Sequence, residues 1–148
     1  MTHRTEYQDI SGQPDNARVL LAEDSEEALE VMSLLLEGLG YEVTPVTNGK
    51  ECMDAVQRAD SAGEPFDLVF LDIRMPLVDG NEAAVALRTT GYQNPLIAIT
   101  ADASLAGKLE STFSGFDAYV SKRGLDQGLL SRIIKEVCSK SGGRVDPM

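Results

Sequence analysis

Short runs in which every residue is apolar set the strongest constraint on this chain: Val19-Leu20-Leu21-Ala22, Leu68-Val69-Phe70-Leu71 and Leu96-Ile97-Ala98-Ile99. A strand with one face in water alternates polar and apolar residues, whereas an unbroken apolar run must be covered on both faces. The segments between the runs carry apolar residues at helical spacing. Ala28, Val31, Met32, Leu35 and Leu39 mark a helix over about 25–37, and Cys52, Val56 and Ala59 mark one over about 50–62. A third helix is expected over 81–88, and a fourth over 104–113, where Gly107 lowers the intrinsic propensity and suggests a mobile element. Leu129, Leu130, Ile133, Ile134 and Val137 mark a closing helix. The segment 41–46 reads as a strand placed at a sheet edge, since Pro45 removes a ladder donor, and Ala118-Tyr119-Val120 reads as a short last strand. Five strands alternating with five helices predict an α/β fold: an open, doubly wound parallel sheet with helices on both faces.

The 148 residues suffice for one domain that buries roughly two thirds of its unfolded surface. Residues 1–16 and 139–148 have the polar, Gly- and Pro-containing composition of a flexible leader and tail, so the folded body is expected over 17–138. A net charge of -11 repels phosphate backbones and anionic lipid, which argues against direct nucleic-acid or membrane partners. No apolar stretch approaches the roughly 20 residues of a membrane span, and the leader lacks the apolar segment of a secretory signal. A cytoplasmic protein is expected, with Cys52 and Cys138 as free thiols. The single histidine, His3, lies in the leader. Ser-His and Cys-His pairs, imidazole metal cages and a phospho-histidine within the body are thereby excluded.

In open α/β sheets ligands bind beyond the carboxyl ends of the strands. The apolar runs end there in Glu23-Asp24, Asp72 and Thr100, and the last strand ends in Lys122. Three carboxylates on one rim are tolerable only with retained protons or a cation among them, and a set of hard oxygens without thiolate or imidazole favours Mg2+. Beside a cation and an ammonium, Asp72 is placed to be an oxygen nucleophile toward a phosphoryl group, with Lys122 holding the oxygens and Thr100 donating its hydroxyl. Each residue alone also has a plainer reading: Asp24 and Thr100 as helix caps, Asp72 as a solvated strand end, Lys122 as a surface lysine and Tyr119 as a core aromatic. Complementary chemistry at four strand ends weighs against coincidence.

The segments Val19-Leu20-Leu21-Ala22-Glu23-Asp24-Ser25, Asp67 to Pro76, Asp79-Gly80, Ile99-Thr100-Ala101 and Tyr119-Val120-Ser121-Lys122 resemble, in order and spacing, the receiver domains of two-component response regulators and hybrid histidine kinases. The resemblance covers about 17–138. It implies a flavodoxin-like five-stranded sheet of order 2-1-3-4-5. It implies a phosphorelay switch in which Asp72 takes a phosphoryl group from a sensor histidine kinase or a histidine phosphotransfer protein. Mg2+ would be held by Asp24, Asp72 and the backbone carbonyl of Arg74, with Glu23 acting through water. Thr100 and Tyr119 would turn inward on phosphorylation and reshape a face that contacts a downstream protein. The only catalysis implied is of the domain's own Mg2+-dependent phosphorylation and dephosphorylation.

The sequence departs from the family pattern after Lys122, where Arg123-Gly124 stands in place of the usual proline, so a looser last loop is expected. Arg74 and Asp102 occupy the two variable positions that tune phosphoryl lifetime in the family, and are expected to pair across the mouth. With a body ending near 138, the expected output is protein contact, onward phosphorelay or regulation within a larger parent. The alternatives are a phosphorylation-independent pseudo-receiver and a haloacid dehalogenase-type phosphatase, which wants an aspartate where Arg74 stands. A flavodoxin-like FMN carrier is weaker still, lacking a phosphate loop after the first strand.

Overall fold

The computed structural model describes residues 17–75, 77–101 and 115–140. Five strands form a single sheet: β1 (Arg18–Ala22), β2 (Glu42–Val46), β3 (Leu68–Asp72), β4 (Leu96–Thr100) and β5 (Ala118–Ser121). All pairings are parallel and the order is β2-β1-β3-β4-β5, the topology implied by the resemblance. Four helices are described: α1 (Glu26–Gly38), α2 (Gly49–Ser61), α3 (Gly80–Thr89) and α4 (Gln127–Lys140). The fourth expected helix, over 104–113, lies outside the described residues, as do Asp102, Pro76, the leader and the segment 141–148. The closing helix runs to Lys140, two residues past the expected limit of the body.

The unbroken apolar runs are explained by the two covers of the sheet. Leu20, Ala22, Val69, Leu71 and Leu96 face Cys52, Val56, Ala83, Ala84 and Leu87 of α2 and α3. Their strand neighbours Val19, Leu21, Leu68, Phe70, Ile97 and Ile99 face Met32 and Leu36 of α1 and Leu130, Ile134 and Val137 of α4. Each large side chain closed off in this way stabilises the fold by about 1.5–3 kcal/mol. Pro45 pairs opposite Leu21 in β2, an edge strand, where its missing N–H costs little.

Helix starts are set by side-chain caps. Ser25 Oγ accepts from the Ala28 N–H at 3.3 Å, Asn48 Oδ1 from the Glu51 N–H at 2.8 Å, and Asp79 and Glu82 form a reciprocal capping box. The cap of α1 is therefore Ser25, not Asp24, which leaves the Asp24 carboxylate outside this role. The expected apolar face of α1 needs correction as well: Val31 is 52 % exposed, and Leu36, one turn beyond Met32, takes the buried position. Spacing alone left the centre of that stripe open by about one residue, because α1 carries Leu34, Leu35 and Leu36 in sequence. Among the described residues, no helix is long and apolar enough to cross a membrane.

Candidate functional site

The strand ends converge as expected. The Glu23 N–H donates to the Val46 carbonyl at 3.0 Å as the chain leaves β1, the Ile73 N–H to Ile99 at 3.0 Å, and the Lys122 N–H to Thr100 at 2.8 Å. These bonds continue the sheet ladder past its regular end and fix where each polar side chain departs. Asp72 and Thr100 are almost fully buried, Glu23 is fully enclosed and Asp24 is exposed. One carboxylate oxygen each from Glu23, Asp24 and Asp72 lies within 4.8 Å of the others.

Lys122 spans this cluster. Its Nζ sits 2.9 Å from Glu23 Oε1 and donates to Asp72 Oδ2 at 3.1 Å, while Asp72 Oδ1 accepts the Arg74 N–H at 3.0 Å. Glu23 Oε2 accepts the Ser25 N–H at 2.9 Å, and its Oε1, closed off from water, has the Lys122 ammonium as its partner. Burial pushes the Glu23 carboxyl up to about 7, partly offset by Lys122 and reinforced by Asp72. Burial pulls the Lys122 ammonium down, but Glu23 and Asp72 together outweigh it and hold its pKa above the ordinary lysine value. Two enclosed carboxylates and the exposed Asp24 carboxylate form a hard-oxygen set that fits a small divalent cation keeping several waters.

The corner after Lys122 is held without proline. The Arg123 N–H donates to Ser121 Oγ at 3.1 Å, Gly124 takes a left-handed φ of 70°, and no described peptide bond is cis. Lys122 thus reaches both carboxylates despite the departure at Arg123-Gly124. Tyr119 is half-buried, its ring edge-on to Phe116 with centroids 5.7 Å apart, and packs with it on Ile73 and Ala98, beside Asp72. Arg74 has an exposed side chain and presents its backbone N–H to Asp72, so the position wanted as general acid by the phosphatase alternative holds no acid.

Sequence reasoning missed three features. Glu23 is the most enclosed acid here and pairs directly with Lys122, a contact the sequence reading did not anticipate. Gly80 opens α3 so close to β3 that a Cβ there would collide with the Asp72 carbonyl and the Ile73 Cα, and its N–H donates to Ile73 at 3.0 Å. The Asp79-Gly80 pair was the available signal. At the opposite rim Arg88 binds the carbonyls of Gly115, Tyr92 and Asn94 and the Asp117 carboxylate at 2.8–3.0 Å. No sequence signal marked Arg88, because three of its partners are backbone groups placed by the tertiary fold.

Comparison with known proteins agrees with this geometry. Residues 19–134 match the family described as response regulator receiver domain. The chain is 34 % identical over 123 residues to the sensor histidine kinase GacS of Pseudomonas protegens, covering 80 % of this chain and 13 % of that protein. It is 36 % identical over 107 residues to the two-component response regulator ORR41 of Oryza sativa, covering 71 % of this chain and 82 % of ORR41. Among solved structures, the receiver domain of the Pseudomonas aeruginosa sensor kinase PA1611, which has a magnesium ion coordinated in its active-site cleft, superposes with a TM-score of 0.72 at 27 % identity, covering 84 % of this chain and 98 % of that one. The chain thus spans a small fraction of the sensor kinase and most of ORR41. With a family match over residues 19–134, most of its length, and relatives more than 30 % identical, the chain belongs to the response regulator receiver domain family.

Proposed function

We propose that this receiver domain is the phosphoacceptor of a two-component relay, with Asp72 as the acceptor and a partner's phospho-histidine as the donor. The observation that carries this reading is the Lys122 ammonium set 2.9 Å from Glu23 and 3.1 Å from Asp72, beside the exposed Asp24 carboxylate. An Asp72 carboxylate oxygen attacks phosphorus, the phosphorus–nitrogen bond breaks, and the departing imidazole keeps the electron pair and takes up a proton. The product is a mixed anhydride on Asp72. Mg2+, held by Asp24, Asp72 and the Arg74 carbonyl with Glu23 helping through water, would supply positive charge to the phosphoryl oxygens. Lys122 leaves its salt bridge with Asp72 to hold a phosphoryl oxygen, and Thr100, enclosed at the end of β4, donates its hydroxyl to another. Tyr119, packed on Ile73 next to Asp72, follows Thr100 inward, and the face carrying β5 and α4 changes shape for a downstream protein.

The domain acts on no substrate beyond its own phosphorylation and dephosphorylation, and its proposed site of action is the cytoplasm. Arg74 and Asp102 are assigned to restricting the attacking water. Incubation with a small acyl-phosphate donor, followed by intact mass, tests the reading. A Mg2+-dependent gain of one phosphoryl group, absent in Asp72→Asn, is expected, with faster decay in the doubly neutral Arg74→Gln, Asp102→Asn variant. An inert wild-type chain sinks the acceptor role and leaves a phosphorylation-independent binding module.

A further inference from the structure

Phe116 and Tyr119 meet edge to face, their ring planes at 63°, and the two halves of this pair are held very differently. Phe116 packs both on the large core under α2 and α3 and on the small cluster of Ile73 and Ala98, whereas among the described residues Tyr119 joins only the small cluster. The backbone on either side of Phe116 is also tied down. Arg88 Nε donates to the Gly115 carbonyl at 3.0 Å, and the Asp117 N–H donates to the Leu96 carbonyl at 2.7 Å. Ile73, against which both rings rest, is fixed at both of its backbone polar groups: its N–H donates to Ile99 and its carbonyl accepts from Gly80, each at 3.0 Å. Phe116 is therefore the stationary ring of the pair. Tyr119 stands opposite Ala98 in the β4–β5 register, and Thr100 is the next β4 residue on that face. The carboxylate of Asp72 is meanwhile in its free form, with Oδ2 carrying the Lys122 ammonium at 3.1 Å.

We propose that Phe116 is a positioning residue for the switch: it holds the Tyr119 ring in the orientation that goes with a free Asp72 carboxylate, so a turn toward Thr100 gives up the aromatic contact. The inference rests on the reading of Asp72 as phosphoacceptor and Tyr119 as the ring that moves, and adds a residue to which that reading gives no role. An edge-to-face pair biases an equilibrium by about two- to tenfold beyond the area it buries. Because ring orientation is linked to what Asp72 carries, the same bias reappears as weaker binding of a phosphoryl analogue.

The test titrates the full chain, isotope-labelled on tyrosine, with beryllium fluoride at saturating Mg2+, and binding is read from the fluorine signal of the bound analogue. Tyr119→Phe identifies the Tyr119 ring signal among the four tyrosines. Phe116→Leu, which keeps bulk but removes the ring, is expected to lower the beryllium fluoride concentration for half-saturation by about two- to tenfold. It should also shift the Tyr119 ring signal in metal-free protein. Phe116→Tyr restores an aromatic edge and should match wild type in both measurements. In a Tyr119→Leu background, Phe116→Leu should change the half-saturating concentration no further. Thermal melts with a chelator identify any variant that has lost its fold, and Phe116→Met then takes the place of Phe116→Leu. An unchanged or raised half-saturating concentration in Phe116→Leu, with wild type responding, overturns the inference and leaves the acceptor reading intact. A fall of the same size in the Tyr119→Leu background overturns it too, since the effect would then not pass through the Tyr119 ring. A wild-type chain without Mg2+-dependent binding overturns the acceptor reading itself, and the inference with it.

Discussion

Arg88→Ala is expected to lower the stability of the domain by about 3 kcal/mol, and its melting temperature by about 10 °C. The guanidinium donates from Nε to Gly115, from Nη1 to Tyr92 and Asn94, and from Nη2 to Asp117 Oδ2, with the ion pair about four-fifths shielded on both sides. Asp117 Oδ2 also accepts the Leu96 N–H at 2.9 Å, and the Asp117 N–H donates to Leu96 at 2.7 Å. One side chain therefore ties the end of α3 to the entrances of β4 and β5. Truncating it strands three carbonyls and a carboxylate that water reaches only in part, and that penalty exceeds the modest worth of an exposed pair. Thermal melts of Arg88→Ala, Asp117→Ala and the double variant check this. The double variant should lose clearly less than the sum of the singles, because the two side chains act as one unit. Strict additivity would show that the pair carries no coupling.

Lys122→Met is expected to slow labelling of Asp72 by a small phosphodonor by about 10²–10³-fold, the usual cost of removing one fixed positive group that faces the developing charge. It also removes the cation facing two shielded carboxylates. The pH response separates this role from a purely structural one. In metal-free wild type, the folded Glu23 carboxyl titrates at about 7 against an ordinary value of 4.5, so the folded state holds more protons than the unfolded state between those values. Stability is then lost as pH rises through that window. Melting temperature with a chelator present should fall between about pH 5 and about pH 8. Glu23→Gln should flatten the fall, and Lys122→Met should steepen it and extend it to higher pH. A wild-type profile flat across the window would remove the case for Glu23 as the acid whose charge is costly here.

Much of the fold was legible because burial on both faces leaves a direct mark. The runs at Val19–Ala22, Leu68–Leu71 and Leu96–Ile99 have the form expected of covered parallel strands, and Pro45 pointed to one edge. The rim was legible because Glu23, Asp24, Asp72, Thr100 and Lys122 each interrupt or follow an apolar run. What the sequence left open depends on rotation and closure. In α1, three consecutive leucines allow a stripe through Val31 or one through Leu36, and only packing against α4 and the sheet decides for Leu36. Whether Glu23 or Asp24 is the enclosed acid depends on the turn into Ser25, whose N–H draws Glu23 inward. The Arg88 network is invisible because carbonyl partners carry no residue identity.

The five-residue strands separate the reactive rim from the Arg88 anchorage by about 16 Å. Over that distance, perturbations at one end reach the other only weakly. Substitutions at the two poles are therefore expected to act on stability independently, so the rim can change its side chains while the opposite pole keeps the scaffold standing.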